Sequence, residues 1–547
     1  MFRTALISMF VTSTMLAVPL AMAHADQVAI TIDGEFEDWA DVAASVIDNN
    51  GDGMDAVDFT RIWLADDDRF LFVRIEATED FDLSDDNSIL LYIDTDANAA
   101  TGIKVGGIGA ELEWRPGSRW GTFYHNGNST TVYNNSIRFR GAPTVTSNVF
   151  EMAVGRDMLP DGSNPLFTGT EIRVLLVDAN SGDMIPNAGT ILSYTLDEGS
   201  VPPPSPVPFE KPSPSNLRVV THNILSNHLF DKQYQQSFKR LYTAVSPDIF
   251  HLQELSNYSA SEATDLIASW FGGDWYGAQV ENGNAYDDCK TISRYPIIGS
   301  WAIYGNLAVL IDTTESIGTP ILCINAHLPC CDNDYGRQNE VDAIIAFIRD
   351  AYLPDGELTL DSEVPVMISG DLNLVGLSQQ LVTLVTGDIQ NEFEHGPDSP
   401  PDPDGSDLHS ITSRQTEKRM GYTWRNDPNN YAGYWPGQLD FLIYSDSNLT
   451  LTRDFIVYTP EMSPRELTAN SLMISDSLVS DHLVFCADFA PPCSEDVTSD
   501  GTIDVSDLLA IINAWGLCLG CDEDINEDAW VDVADLLIII AAWGPCE

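Results

Sequence analysis

The sequence predicts a multidomain chain: an all-β sandwich, then an α/β domain, then a small α module built on calcium loops. Three observations predict it. Short alternating strands with frequent turn residues fill residues 26–200. A proline-rich run at 201–215 interrupts every periodicity. Beyond it, apolar strands alternate with helical patterns until two copies of an aspartate-rich twelve-residue loop close the chain. A length of 547 residues leaves room for about three such domains.

The first 25 residues have the form of a secretory signal. Arg3 supplies positive charge, residues 6–20 are apolar, and Ala23-His24-Ala25 offers a cleavage site. No later apolar run reaches the ~20 residues that span a bilayer, so the mature protein is expected to be exported and soluble. Net charge is −57, with 83 acidic against 26 basic residues. That excludes sequence-independent binding of nucleic acid through a basic surface. It leaves a phosphate substrate open, because bound divalent cations invert the local field. All nine cysteines follow residue 288, and an odd number leaves at least one outside any intramolecular pairing.

In the β module, ITIDGEFEDW (residues 30–39) opens a series of short strands. Residues 62–64 and 70–75 flank Asp66-Asp67-Asp68, a hairpin signal. The strand 89–93 runs into Asp94-Thr95-Asp96, and 171–177 is a further strand. The Ile-Asp-Gly-x-x-x-x-Trp opening and the Asp94-Thr95-Asp96…Thr101-Gly102 loop resemble family-nine-like carbohydrate-binding (DOMON-like) modules. The resemblance implies sugar binding through aromatic side chains, with Trp114 and Trp120 as candidates; a core or rim position is the competing reading. Asp48, Asn50, Asp52 and Gly53 have calcium-loop spacing, although no helix pattern follows. The prolines of 201–215 favour extended geometry and a semi-rigid spacer.

From 216 to 490, short apolar strands end in polar residues one after another. LRVVTHN places Asn223 at a strand end, and PDIFHLQE does the same with Glu254. ILCINAHL presents Asn325 and His327, and VMISGDLN presents Asp371 and Asn373 on one side of a strand, with Gly370 at the bend. QLDFLIY starts with Asp440 near its head, and SDHLVF carries Asp481 and His482. Helical patterns at 235–245 and 335–349 lie between them. In their order these motifs resemble the endonuclease/exonuclease/phosphatase family, the pancreatic-deoxyribonuclease-like proteins. The resemblance implies a four-layer α/β sandwich that hydrolyses phosphoric esters with Mg2+ or Mn2+.

The residue types suit that chemistry. A phosphodiester's charge repels nucleophiles, so hydrolysis needs the charge neutralised and a water deprotonated in line with the leaving oxygen. By resemblance, Glu254 is the principal metal ligand, supported by Asn223 and Asp481. His482 with Asp440 makes a general-base pair, and Asp371 orients or helps deprotonate water. Asn373 donates to a phosphate oxygen, and His327, with Asn325 beside it, contacts the phosphate. Which of the aspartate and the histidine takes the proton stays open, and no carboxylate in 281–288 stands out as a partner for His327. Arg294, within TISRYPI, and Tyr422 and Trp424, within GYTW, are candidate substrate contacts. Arg414, Lys418, Arg419 and Arg425 form the most basic stretch of the domain, a possible track for a phosphate-rich substrate. Cys330 or Cys331 is expected to bond Cys289. The substrate read from this set is a phosphodiester, of nucleic acid or of a lipid head group. The leading activity is a nuclease-like phosphodiesterase; the alternatives are a sphingomyelinase-like or phosphomonoester hydrolase, and a non-catalytic extracellular binding protein.

In the tail, 491–547, Asp496, Thr498, Asp500, Thr502, Asp504 and Asp507 occupy the ligand positions of a twelve-residue calcium loop. Asp524, Asn526, Asp528, Trp530, Asp532 and Asp535 repeat it, with Ala529 where the first copy has Gly501. Each loop leads into an apolar helix ending Trp-Gly. Aspartate in place of glutamate at position 12 makes the pair resemble a type I dockerin-like module, which implies Ca2+ and a cohesin-like anchoring partner. Cysteine spacing suggests Cys493–Cys518 and Cys521–Cys546.

Overall fold

The computed structural model describes residues 28–545 apart from 49–50, 52–56, 86, 198, 281–287, 355, 357, 427–430, 494, 499–501, 519–520, 522 and 527. The leader, most of the 48–53 loop, Asp500 and Cys546 lie outside the described residues. No helix among the described residues is long and apolar enough to cross a membrane.

Residues 28–200 form two antiparallel sheets packed face to face. One is ordered Val46–Ile47, Phe59–Asp66, Phe70–Phe81, Ser147–Gly155, Arg140–Ala142. The other contains Ile89–Asp94 at its centre, between Glu171–Asp178 and Leu112–Arg115. The hairpin signal at 66–68 is the turn joining Phe59–Asp66 to Phe70–Phe81, where Asp67 Oδ1 accepts the Arg69 and Phe70 amides at 2.7 Å. Along Phe70–Phe81 the side chains alternate between two different cores. Leu71, Val73 and Ile75 enter the sandwich, with Trp114 and Phe150. Phe70 and Phe72 point the other way, into a cluster shared with Met420, Tyr422 and Phe485 of the following domain. A sheet buried on both faces reads as an apolar run rather than as alternation.

The two domains therefore share a core, and the segment between them is not a spacer. Residues 201–215 lie against the α/β domain: the Val207 amide donates to Thr416 O at 3.0 Å, and Phe209 stacks on Phe455 at 5.1 Å. Arg414 and Arg419 donate to Ser205 O and Pro202 O at 2.9 and 2.8 Å.

The α/β domain consists of two six-stranded sheets. In the first, Leu217–Asn223 lies parallel to Ile249–Gln253 and antiparallel to Val484–Ala490. In the second, Ile321–His327 lies parallel to Val366–Asp371, which is antiparallel to Asp440–Tyr444. Val219, Ile249, Val309, Cys323, Met367 and Phe485 fill the space between the sheets. Helices Gln235–Val245 and Ala260–Phe271 cover the outer face of the first sheet, and Asp334–Ala351 and Gln379–Thr386 that of the second. This gives four layers, α-β-β-α. Both expected helices are present, the second extended to Asp334–Ala351.

In the tail, helices Val505–Asn513 and Val533–Ala542 pack through Ile503, Ile511, Val531 and Ile539. Asp504 and Asp532 cap them, each in a capping box with Asp507 or Asp535. The expected pairings within each repeat are not the ones formed: Cys518 bonds Cys521, joining the end of one unit to the start of the next. The expected bond to Cys289 is absent too, since Cys289, Cys330 and Cys331 are free thiols.

Candidate active site

The register of the second sheet sets the site's frame. His327, Asp371 and Asp440 are lateral neighbours, since His327 pairs with Asp371 and Asp371 with Asp440. At Gly370 the strand passes so close to its neighbour that a Cβ would meet Ala326 O at 1.8 Å, and φ is +146°. Only glycine fits there, which accounts for the Gly before Asp371. From the facing sheet come Asn223, at the end of Leu217–Asn223, and Glu254, just past Ile249–Gln253. Glu254 takes a left-handed backbone, φ +61°, a cost of roughly 1–3 kcal/mol that turns its carboxylate toward the site. The Ser226 amide holds Glu254 Oε2 at 2.6 Å.

Asp371 sits at the centre. Its Oδ2 accepts from Asn223 Nδ2 at 3.0 Å and lies 3.5 Å from Nε2 of both His327 and His482. Each imidazole is held from behind by its own carboxylate. His482 Nδ1 lies 2.8 Å from Asp440 Oδ2, and His327 Nδ1 lies 2.7 Å from Asp288 Oδ2. Two His–Asp pairs thus face one shared aspartate. Burial disfavours charge on both rings, but the carboxylates outweigh it. Asp288, Asp371 and Glu254 raise His327 to about 9, and Asp440 and Asp371 raise His482 further above its ordinary value.

The oxygen donors suit a hard divalent cation. Asn223 Nδ2 also donates to Glu254 Oε1 at 3.0 Å, locking that carboxylate in place. Asp481 accepts from Trp424 Nε1 at 3.2 Å through Oδ2, while its Oδ1 is buried with no hydrogen-bond partner. A cation would satisfy that oxygen, so the residues present fit one. Glu254, Asp371 and Asp481 all line a single cleft of about 1050 Å³ with His327, His482 and Asn373.

Of the residues anticipated from sequence, Asn223, Glu254, His327, Asp371, Asn373, Asp440, Asp481 and His482 come together here, and Trp424 joins them through Asp481. Asn373 donates through Nδ2 to Leu328 O at 3.0 Å, so part of its donor capacity fixes the loop. Asn325 is not a substrate contact: it is fully buried between the sheets, bonded to Gln253 Nε2 and to Lys290 O at 2.8 and 3.0 Å. Arg294 lies over Trp275 at 4.6 Å and 3.6 Å from Asp248, outside the cleft. Tyr422 is packed in the core between the domains under Arg140. Trp114 is fully buried in the sandwich, and Arg115 covers Trp120 at 4.3 Å, so the expected sugar platform is not formed by these rings. Asp288 is the functional candidate that sequence reasoning missed; its signal was an acidic residue next to the Lys290–Ser293 strand.

No family model and no curated protein matches the chain. Among solved structures, it resembles an endonuclease/exonuclease/phosphatase family protein from Leptotrichia buccalis at 12% identity, covering 50% of this chain and 99% of that one, with a TM-score of 0.33. D. rerio TDP2 complexed with single-strand DNA product gives 14% identity, 50% and 99% coverage and a TM-score of 0.33. Sphingomyelinase C from Streptomyces griseocarneus gives 15%, 50%, 99% and 0.29.

Proposed function

We propose that residues 216–490 hydrolyse phosphoric esters with Mg2+ or Mn2+, by in-line attack of water on phosphorus. The observation that carries this reading is the pair of opposed His–Asp dyads sharing Asp371 beside Glu254 and Asp481. Glu254 and Asp481, with Asn223 as support, would hold the cation, whose charge offsets that of the phosphate oxygens. Asn223 fixes Glu254 and Asp371 relative to each other through one amide nitrogen. Asp371, between the two rings, is placed to orient a water and share its proton. Asp440 fixes the tautomer of His482 and stabilises its protonated form, and Asp288 does the same for His327. His482, its charge opposed by a cation held at Glu254 and Asp481, is then free to take a proton from water, while His327 contacts the phosphate and protonates the leaving oxygen. The test is hydrolysis of bis(4-nitrophenyl) phosphate with Mg2+, Mn2+ or EDTA, by wild type and His482→Ala. Turnover is expected only with metal, and His482→Ala is expected to lower kcat by ~10³-fold or more with folding intact. Near-wild-type turnover of a folded His482→Ala protein refutes the assignment.

For the flanking regions we propose export through the leader, Ca2+ in the tail loops and an anchoring, cohesin-like partner. Ca2+ is supported by Asp507 and Asp535, which each fold back onto their own loop through amides of residues 498 and 526. Anchoring is supported by matching exposed apolar residues, Leu509 and Ile512 on one helix with Trp515 just past its end, and Leu537 and Ile540 on the other with Trp543 just past its end.

A further inference from the structure

We propose that the cleft takes a small phosphodiester monoanion carrying an aromatic or aliphatic group, and that the N-terminal module closes it to nucleic-acid polymers. This rests on the phosphoesterase reading above and names the substrate class of that site.

The first observation is a wall. The N-terminal module meets the α/β domain at the active-site loops themselves. Thr144 Oγ1 donates to Leu374 O at 2.7 Å, next to Asn373, and the Thr146 amide donates to Gly376 O at 2.6 Å. In return, Trp435 inserts into the sandwich, edge-on to Phe139 at 4.9 Å, and donates through Nε1 to Gly141 O at 3.0 Å. Asn134 Nδ2 donates to the Gly433 and Tyr434 carbonyls at 3.1 and 3.0 Å. Ser84 and Thr144 of the module thus line the same cleft as His482. A long groove at this edge, such as a polymer backbone needs, is blocked by a folded domain.

The second observation is charge. Among the described residues no Lys or Arg lines the cleft, and the sequences of 281–287 and 427–430 contain none. The cations nearby are committed to the protein: Arg119 donates to Ser84 O at 2.7 Å and pairs with Asp85 at 3.4 Å. Arg337 donates to the Pro329, Cys331 and Val375 carbonyls, bracing the rim. Arg425 donates to Ser480 O at 2.7 Å, and Lys418 pairs with Glu461 at 3.4 Å. Arg414 and Arg419 hold the 201–215 segment. The basic stretch read from the sequence therefore offers no phosphate track. A polymer needs several phosphates neutralised along its length, whereas a single phosphate needs only the catalytic centre.

The third observation is the apolar lining. Tyr434, Trp435, Leu328, Pro329, Val375 and Leu439 surround the polar centre. Arg119 lies 4.2 Å over the Tyr434 ring and holds it in place. A cleft of about 1050 Å³ suits one drug-sized molecule.

The experiment uses the full chain with Mg2+ and measures KM and kcat for bis(4-nitrophenyl) phosphate, alone and with a single-stranded oligonucleotide or linear duplex DNA as competitor. Tyr434→Ala is expected to raise KM about tenfold with kcat within about threefold, and Tyr434→Phe to restore it, because an aromatic contact outside the reacting centre acts on binding. Neither nucleic acid is expected to be cleaved or to inhibit at concentrations of phosphate equal to KM. Cleavage of, or competition by, either nucleic acid overturns the proposal and leaves the phosphoesterase reading standing. An unchanged KM in Tyr434→Ala also overturns it. Absence of hydrolysis of the small ester with Mg2+ and Mn2+ refutes the underlying reading, and the proposal with it.

Discussion

Replacing Asp440 by Asn tests the centre of the mechanism through one atom pair. Asp440 and His482 are both buried, 0% and 5% exposed, and their facing atoms are 2.8 Å apart. Asn keeps the shape and loses the charge that favours the imidazolium. Breaking such a buried pair by removing one partner costs about 3–5 kcal/mol. If only the lower figure is felt at the transition state, kcat/KM falls by roughly 10²-fold, and more if the amide turns its NH2 to the ring and reverses the tautomer. The metal-free protein provides a second readout. Burial opposes protonation of His482, but Asp440 and Asp371 raise it to about 10. A histidine raised in the folded state contributes stability that is whole below about 6.5 and is lost as pH climbs through the folded value. The variant's destabilisation should therefore be large at pH 7 and largely gone at pH 10. The assay is hydrolysis at saturating Mg2+, paired with denaturant unfolding in EDTA at both pH values. Activity within threefold of wild type, or equal destabilisation at both, refutes the reasoning.

Two further outcomes follow from the same geometry. Asp288→Asn removes the carboxylate behind His327, so the ring's titration midpoint in the metal-free protein should fall from about 9 toward the ordinary range, read by NMR, and kcat should drop by about tenfold or more. In the tail, Ala529 holds φ +69° while its amide donates to Asp524 Oδ2 at 2.7 Å, so Ala529→Gly relieves strain of roughly 1 kcal/mol and should tighten Ca2+ binding by up to about fivefold by calorimetry.

What sequence made legible follows from how local each feature is. Asn223, Glu254, His327 and Asp371 at strand ends, and Asp440 and His482 at strand starts, could be read because a polar residue bordering an apolar run is a local pattern. Register aligns His327, Asp371 and Asp440 within one sheet, and the packing of the two sheets brings them to Asn223, Glu254 and His482. Asp288 could not be read the same way. It follows another aspartate, Asp287, before Lys290–Ser293, with nothing local to single it out, and only the packing of the two sheets carries it to His327. Arg414, Lys418 and Arg419 looked like a free basic patch because spacing does not reveal whether a guanidinium folds back onto a carbonyl. Asn325 misled for a related reason: two residues before His327 it lies on the same face of the strand, but deeper between the sheets, where it ties them together.

The docking of the N-terminal module has the same physical origin as the misread linker. Ile32 pairs with Met420, the Gly421 amide donates to Ile32 O at 2.8 Å, and Arg69 meets Glu461 at 3.2 Å. Phe70 and Phe72 lie in the shared core on the same sheet face. Exposing such rings would cost roughly 1.5–3 kcal/mol each, and the prolines of the connecting segment, already restricted in the unfolded chain, lower the entropy cost of ordering it. Swinging the module aside to admit a larger substrate would expose this shared core. The edge at Thr144 and the loop carrying Tyr434 and Trp435 are then fixed parts of the cleft, and substrate size is decided by the packing of two domains as well as by the residues that meet the phosphate.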